Sequence, residues 1–201
     1  MDRRRRRSPT EARKEAIDGA RTLLLEQGPA AITLQAVARR MGVAHGNVTH
    51  HFGSASRLQA DLAEVMIRDL INGVEQALIS LRAGKTGLRQ VVDFVFDAFE
   101  SGGAGRLVAW LASSGHRELL IPLCRDLAGL TGAIEGRSHN RDSRPGEVGI
   151  VIAAVITPAL GAALIGNELS DALSLGHGVH RELATAQLHH LSVRRKNGQR
   201  D

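Results

Sequence analysis

From residue 9 onward, the apolar positions of this chain repeat at three- and four-residue spacings. Behind Ser8-Pro9-Thr10-Glu11, the side chains of Ala16, Ile17, Ala20, Leu23 and Leu24 fall on one face of a helix. Ser8 is placed to cap it, Pro9 to open it and Glu11 to complete a reciprocal capping box, so the pattern predicts a helix over about 9–27, stopped by Gly28-Pro29. Thr33 is then the expected N-cap of a short helix carrying Leu34, Val37, Ala38 and Met41, closed by a left-handed Gly42. A third short helix is expected over about 44–50, with Phe52 behind it. Gly53-Ser54 breaks the chain before a long fourth helix, capped by Ser54, in which Leu58, Leu62, Met66, Leu70, Val74, Leu78 and Leu81 keep helical spacing.

The loop Ala83-Gly84-Lys85-Thr86-Gly87 precedes a fifth helix marked by Leu88, Val91, Val92, Val95 and Phe99 and closed by Ser101-Gly102-Gly103. Further helices are expected at about 104–115, 117–135, 145–167 and 179–194, with a polar loop from Gly136 to Gly146. There is no internal repeat, no alternating strand pattern and no glycine-rich phosphate loop. The composition agrees with helices. Four Phe, one Trp and no Tyr in 201 residues leave a core of Leu, Val, Ile and Ala, which disfavours a β-sandwich.

Charge adds what periodicity cannot. Residues 1–60 carry eleven Lys or Arg against five acids, an excess of +6, whereas residues 61–201 carry fifteen against sixteen. The whole basic excess therefore lies in the first third, where it suits a polyanion such as DNA. Arg3, Arg4, Arg5, Arg6 and Arg7 supply five of the eleven cations, and a solvated tail accounts for those five equally well. A single Cys124 rules out an intramolecular disulfide and a Cys-rich metal site, and no apolar segment follows the arginine run, so a cytoplasmic protein is expected.

Three short helices, the last two joined by a tight glycine turn, are the plan of a helix-turn-helix module. Residues 11–60 resemble the DNA-binding domain of the TetR family of transcriptional regulators. The resemblance is carried by Ala20, Leu24, Gly28, Thr33, Val37-Ala38, Gly42-Val43, Gly46, Val48, Phe52 and Leu58. It implies an all-α chain with a DNA-binding domain over residues 1–53, including the basic arm, and a larger ligand-binding and dimerisation domain over residues 54–201. Offered to DNA by this resemblance are His45, Gly46, Asn47, Thr49 and His50, flanked by Thr33 and Gln35 before the turn and by Arg57 after it. Asn47 has the chemistry to read adenine, and the arginine arm can lie on phosphates or in a minor groove. The chain also departs from the family. Thr49 stands where a tyrosine is usual, Ala55 where a lysine is usual, and Ala44 caps the third helix in place of Ser or Thr.

Residues 148–166 carry no charge and are long enough to cross a bilayer, but Pro158 and three glycines interrupt them and acids flank them. A helix apolar all round, buried in a core or subunit interface, is the expectation. The resemblance pairs this helix and the next with those of a second subunit, so Val155, Leu160, Ala163, Leu164, Leu183 and Leu188 are the expected dimer contacts. It also implies a small effector, apolar or amphipathic, held within residues 84–175 and weakening DNA binding. Bulky or soft side chains suited to such a pocket are Met66, Phe94, Phe96, Phe99, Trp110 and Cys124, although for each of them taken singly core packing is the favoured reading. Phe94 and Phe96 lie off the main stripe of their helix, so one of them is expected to face a cavity or a neighbouring helix.

Nine histidines form no convincing metal-ligand spacing, and no metal or cofactor is expected. Ser113-Ser114-Gly115-His116 lacks a positioned carboxylate, so no enzyme is expected either. The reading is a homodimeric repressor of an inverted-repeat operator. The alternative from another class is a helical ligand-binding or membrane-surface protein whose basic head binds polyanions without sequence preference.

Overall fold

The computed structural model describes residues 8–137 and 147–197, and among them every regular element is helical. The elements are α1 (Pro9–Gln27), α2 (Leu34–Met41), α3 (His45–Phe52), α4 (Ala55–Arg82), α5 (Leu88–Phe99), α6 (Ala104–Ser113), α7 (Ile121–Arg137), α8 (Glu147–Ala172) and α9 (Val179–Asn197), with single 3₁₀ turns at Pro29–Ala31 and Arg117–Leu120. The arginine run Arg3–Arg7 lies outside the described residues.

The chain forms two compact units. One comprises residues 1–65 and 107–121, the other residues 66–106 and 122–201. In the first, α1 packs on α2 and α3, burying Ala16, Ile17, Ala20, Leu23 and Leu24 with Val37, Ala38, Val48 and Phe52. Chain signals act locally as expected. Ser8 Oγ accepts from Glu11 N–H while Glu11 Oε2 accepts from Ser8 N–H, so the capping box is closed in both directions. That backbone donor, and then the Ser8 hydroxyl, hold the Glu11 carboxyl below its ordinary range.

In the second unit α5, α8 and α9 pack on one another around Val92, Val95, Phe96, Phe99, Val155, Ala159, Ala184 and Leu188. Gly105, in the first turn of α6, meets α8 so closely that a Cβ there would lie 2.6 Å from the Ala163 methyl.

Several boundaries differ from the periodicity, three of them for a clear physical reason. The helix expected from 117 begins as a 3₁₀ turn and becomes α-helical only at Ile121, because Pro122 lacks an N–H and can sit only in a first turn. Helix α3 continues to Phe52, where Gly53 at φ +73° ends it. Helix α8 runs on past 167 to Ala172, since nothing breaks it before Ser174, the one described non-glycine residue at positive φ. Nor is α8 buried all round within its own chain. Its inner edge is Val155, Ala159, Gly166 and Ser170, while Ile150, Leu164, Ile165 and Leu169 remain exposed on other faces. Residues Gly149–Ala172 are long and apolar enough to cross a membrane, and only 17% of the most apolar window is buried within the chain.

Candidate nucleic-acid interface

The turn between α2 and α3 is fixed by backbone chemistry. Thr33 Oγ1 accepts from Ala36 N–H at 3.1 Å and starts α2. Gly42, at φ +65° and ψ +34°, ends it, and the N–H groups of Gly42 and Val43 return to the carbonyls of Arg39 and Ala38. A side chain at residue 42 would be strained in this left-handed conformation, so the glycine sets the angle at which α3 leaves.

Helix α3 is anchored through Val48 and Phe52, one turn apart and 1% and 5% exposed. The same spacing turns His45, Gly46, Asn47 and His50 outward, all exposed, with Thr49 half-buried beside them. Ala44 supplies no side-chain cap, so the first-turn donors of α3 lack the side-chain acceptor a serine would offer, and of these Asn47 N–H turns to the Ala44 carbonyl at 3.0 Å. Thr49 donates its hydroxyl proton to the carbonyl of His45 at 3.1 Å, so toward any outside group its oxygen acts as an acceptor. A polar helix face with exposed backbone donors at its start can meet phosphate oxygens and base edges together. Gln35 is exposed on α2, and Arg57 on α4 is 58% exposed.

The structure adds residues that periodicity passed over. Arg13 on α1 donates through Nη1 to the carbonyl of His51 at 3.1 Å and through Nη2 to Asp61 Oδ2 at 2.6 Å, and its guanidinium lies 4.7 Å over the Phe52 ring. The other Asp61 oxygen pairs with Arg57 Nε at 3.2 Å. Gln59, 6% exposed, donates to the carbonyls of Pro29 and Ile32. The signal was present in the sequence. Asp61 lies three residues beyond the core residue Leu58, and a carboxylate on a buried face needs a cation.

The candidate effector residues divide between the two units. Trp110, 37% exposed, belongs to the first unit, whereas Met66, Phe94, Phe96, Phe99 and Cys124 belong to the second. Met66, Phe96 and Phe99 are core residues, and Cys124 is exposed. Of the pair Phe94 and Phe96, Phe94 is the outer one, at 39% exposed, and its ring lies across Gly73 of α4, where a Cβ would come within 2.0 Å of it. Phe96 lies beneath the Arg181 guanidinium, 5.5 Å from its ring centroid. Arg181 also pairs with Asp93 and Asp97 of α5 and with Glu100, which caps that helix. Burial disfavours its charge, but hydrogen bonds and attraction from Glu100 and Asp97 outweigh this and raise its pKa further.

Among the expected dimer contacts, Val155 and Leu188 are each 6% exposed and pack inside the chain, and Ala163 is met by Gly105 of its own chain. Leu160 is half-buried, while Leu164 and Leu183 are 44% and 62% exposed. His177 pairs with Asp171, and His180 contacts the Gly166 carbonyl and the Ser170 hydroxyl, so these two histidines have separate partners.

Known proteins agree with this geometry. The family model described as bacterial regulatory proteins, tetR family, matches residues 16–58, which contain α2, the turn and α3. The HTH-type transcriptional regulator BetI of Escherichia coli O17:K52:H18 (strain UMN026 / ExPEC) is 30% identical over 191 residues, covering 88% of this chain and 93% of that protein. Two solved structures share the fold. The multidrug binding protein EbrR complexed with imidazole aligns with a TM-score of 0.62 at 18% identity, over 90% of this chain and 94% of that one. A TetR-family transcriptional regulator from Streptomyces coelicolor aligns at 0.59 and 22% identity, over 92% of this chain and 99% of that one. With a relative matched over nearly its whole length and a helix-turn-helix in the family's register, this chain belongs to the TetR family of bacterial transcriptional regulators.

Proposed function

We propose that this regulator is a cytoplasmic homodimeric repressor that binds an inverted-repeat operator and is released by a small apolar or amphipathic effector. The observation that carries the reading is α3, held from behind by Val48 and Phe52 with His45, Gly46, Asn47 and His50 facing out. In this scheme residues 1–53 meet DNA. Asn47 reads a base edge, Gly46 lets the backbone approach, Thr49 offers an acceptor to a base amino group, and Thr33, Gln35, Arg57 and the arginine arm meet phosphates. One short helix reads only a few base pairs, so two copies related by a two-fold axis are needed for specificity.

Residues 54–201 form the dimer and effector domain. The exposed apolar side chains of α8 and α9, Leu164, Ile165, Leu169 and Leu183 at 40–62% exposure, are the surface that supports pairing. Effector binding acts as a population shift, limited by its differential affinity for the DNA-fitting and non-fitting dimer states. No catalytic step is part of this function.

The dimer is tested by sedimentation of Ile165→Glu, a residue 58% exposed on α8. Wild type is expected as a dimer and the variant as a monomer whose DNA affinity falls with it. A variant that stays dimeric places the interface elsewhere.

A further inference from the structure

Asp61 is an unusual residue to find behind a DNA-reading helix. It is 7% exposed, on the core side of α4 between Leu58 and Leu62, and it is negative where a DNA-binding unit profits from being positive. Its two oxygens are divided between two arginines. Oδ2 accepts from Arg13 at 2.6 Å, and Oδ1 forms an ion pair with Arg57 Nε at 3.2 Å. Arg13, 44% exposed, has its guanidinium engaged by Asp61, by the His51 carbonyl in the last turn of α3 and by the Phe52 ring. Arg57 differs. Its Nε is engaged, its side chain is 58% exposed, and its backbone N–H is fixed by the Ser54 cap at 3.1 Å, so the fork is held at the start of α4 with its Nη donors available to a phosphate.

We propose that Asp61 is a positioning residue for DNA binding: it holds Arg57 as a phosphate contact at the start of α4 and, through Arg13, fixes the C-terminal end of α3. The inference rests on α3 being the DNA-reading helix. A guanidinium ordered before binding loses less side-chain freedom on meeting a phosphate than a free one. Tying the last turn of α3 to α1 and α4 keeps the base-reading face at one angle, which matters more for the right sequence than for random DNA.

The sign of the charge effect makes the proposal testable. Asp61→Asn removes a negative charge, so long-range electrostatics alone would tighten binding to every duplex. Positioning predicts the opposite on the preferred sequence. Affinity is measured across a salt series for wild type, Asp61→Asn, Arg57→Ala and the double variant. The probes are the duplex that wild type retains from a random pool and a scrambled duplex of equal composition. Arg57→Ala is expected to reduce the slope of log K against log salt by about 0.9, one phosphate contact. Asp61→Asn is expected to lower the ratio of preferred to scrambled affinity about tenfold. Removing Arg57 should then cost less than about twofold in the Asp61→Asn background, because its anchor is already gone.

Asp61→Asn tightening both duplexes alike, or Arg57→Ala costing the same in either background, overturns the proposal. Arg57→Ala alone decides it if Asp61→Asn fails to fold, since an unchanged salt slope at that exposed site also overturns it. A wild type that retains no DNA refutes the DNA-reading function itself, and this inference with it.

Discussion

Replacing Arg181 by Met should loosen α9 from α5, and the structure allows the loss to be worked out contact by contact. Met keeps most of the aliphatic stem and removes the charged fork. Arg181 faces three carboxylates and one ring. Asp97, at 2.7 Å, is 60% exposed, and a pair so open to water contributes toward the low end of about 0.2–1 kcal/mol. Glu100 is 33% exposed and belongs near the top of that range, about 1 kcal/mol. Asp93 is the weakest, since it stands 3.5 Å away and is shared with Arg89 at 2.9 Å. The Phe96 face adds about 0.5 kcal/mol.

The expected loss is therefore about 2 kcal/mol, read by urea unfolding at one fixed protein concentration, because the stability of the proposed dimer would depend on concentration. Screening supplies the control. In 1 M salt the loss should shrink to about half, since the partners are open enough to be screened. Glu100→Gln should also cost more than Asp97→Asn. A loss below about 0.5 kcal/mol at low salt, or one that salt leaves unchanged, would refute the ion-pair account and leave only packing by the stem.

Other consequences can be checked on single variants. Ala44→Ser gives α3 the side-chain cap it lacks and should stabilise the chain by about 0.5–1 kcal/mol in thermal unfolding; no gain would mean those donors are already satisfied. Gly105→Ala should destabilise by about 1 kcal/mol, because overpacking against Ala163 and the Phe99 carbonyl exceeds the helix-propensity gain. Gly129→Ala, in open space on α7, should stabilise, and equal effects at the two sites would contradict the close approach. Because the folded Glu11 carboxyl lies below its ordinary 4.5, its contribution is complete above that value and is lost as pH falls through the folded value. Glu11→Gln should remove this acid limb from the pH–stability curve, and an unchanged limb would show that the capping box carries no charge effect.

Much of the fold was legible because local signals decided it. Ser8 with Glu11, Thr33 and Gly42 each act through hydrogen bonds within a few residues, and the helices they bound begin and end where those residues predict. The outward face of α3 was legible for the same reason, since Val48 and Phe52 fix it by spacing alone. What failed depended on contacts distant in sequence. Arg13 meets His51 and Asp61, 38 and 48 residues away, and nothing in the local pattern of α1 distinguishes it from a solvated arginine. Small residues are ambiguous in the same way. Ala163 suits a close approach, but the helix that approaches it, through Gly105, belongs to its own chain, and periodicity cannot say which chain supplies a neighbour. An aromatic at helical spacing is equally silent about whether it lines a pocket or fills a core, and Phe96 and Phe99 fill a core.

The central claim is that α3 reads sequence and does so in two symmetric copies. Selection from a random double-stranded DNA pool at near-physiological salt, followed by sequencing of what the purified protein retains, tests both parts without assuming an operator. The account predicts an inverted repeat, with base preference relaxed at one position of each half-site in Asn47→Ala. Salt-sensitive retention with no enriched sequence would contradict it and show a head that binds DNA by charge alone.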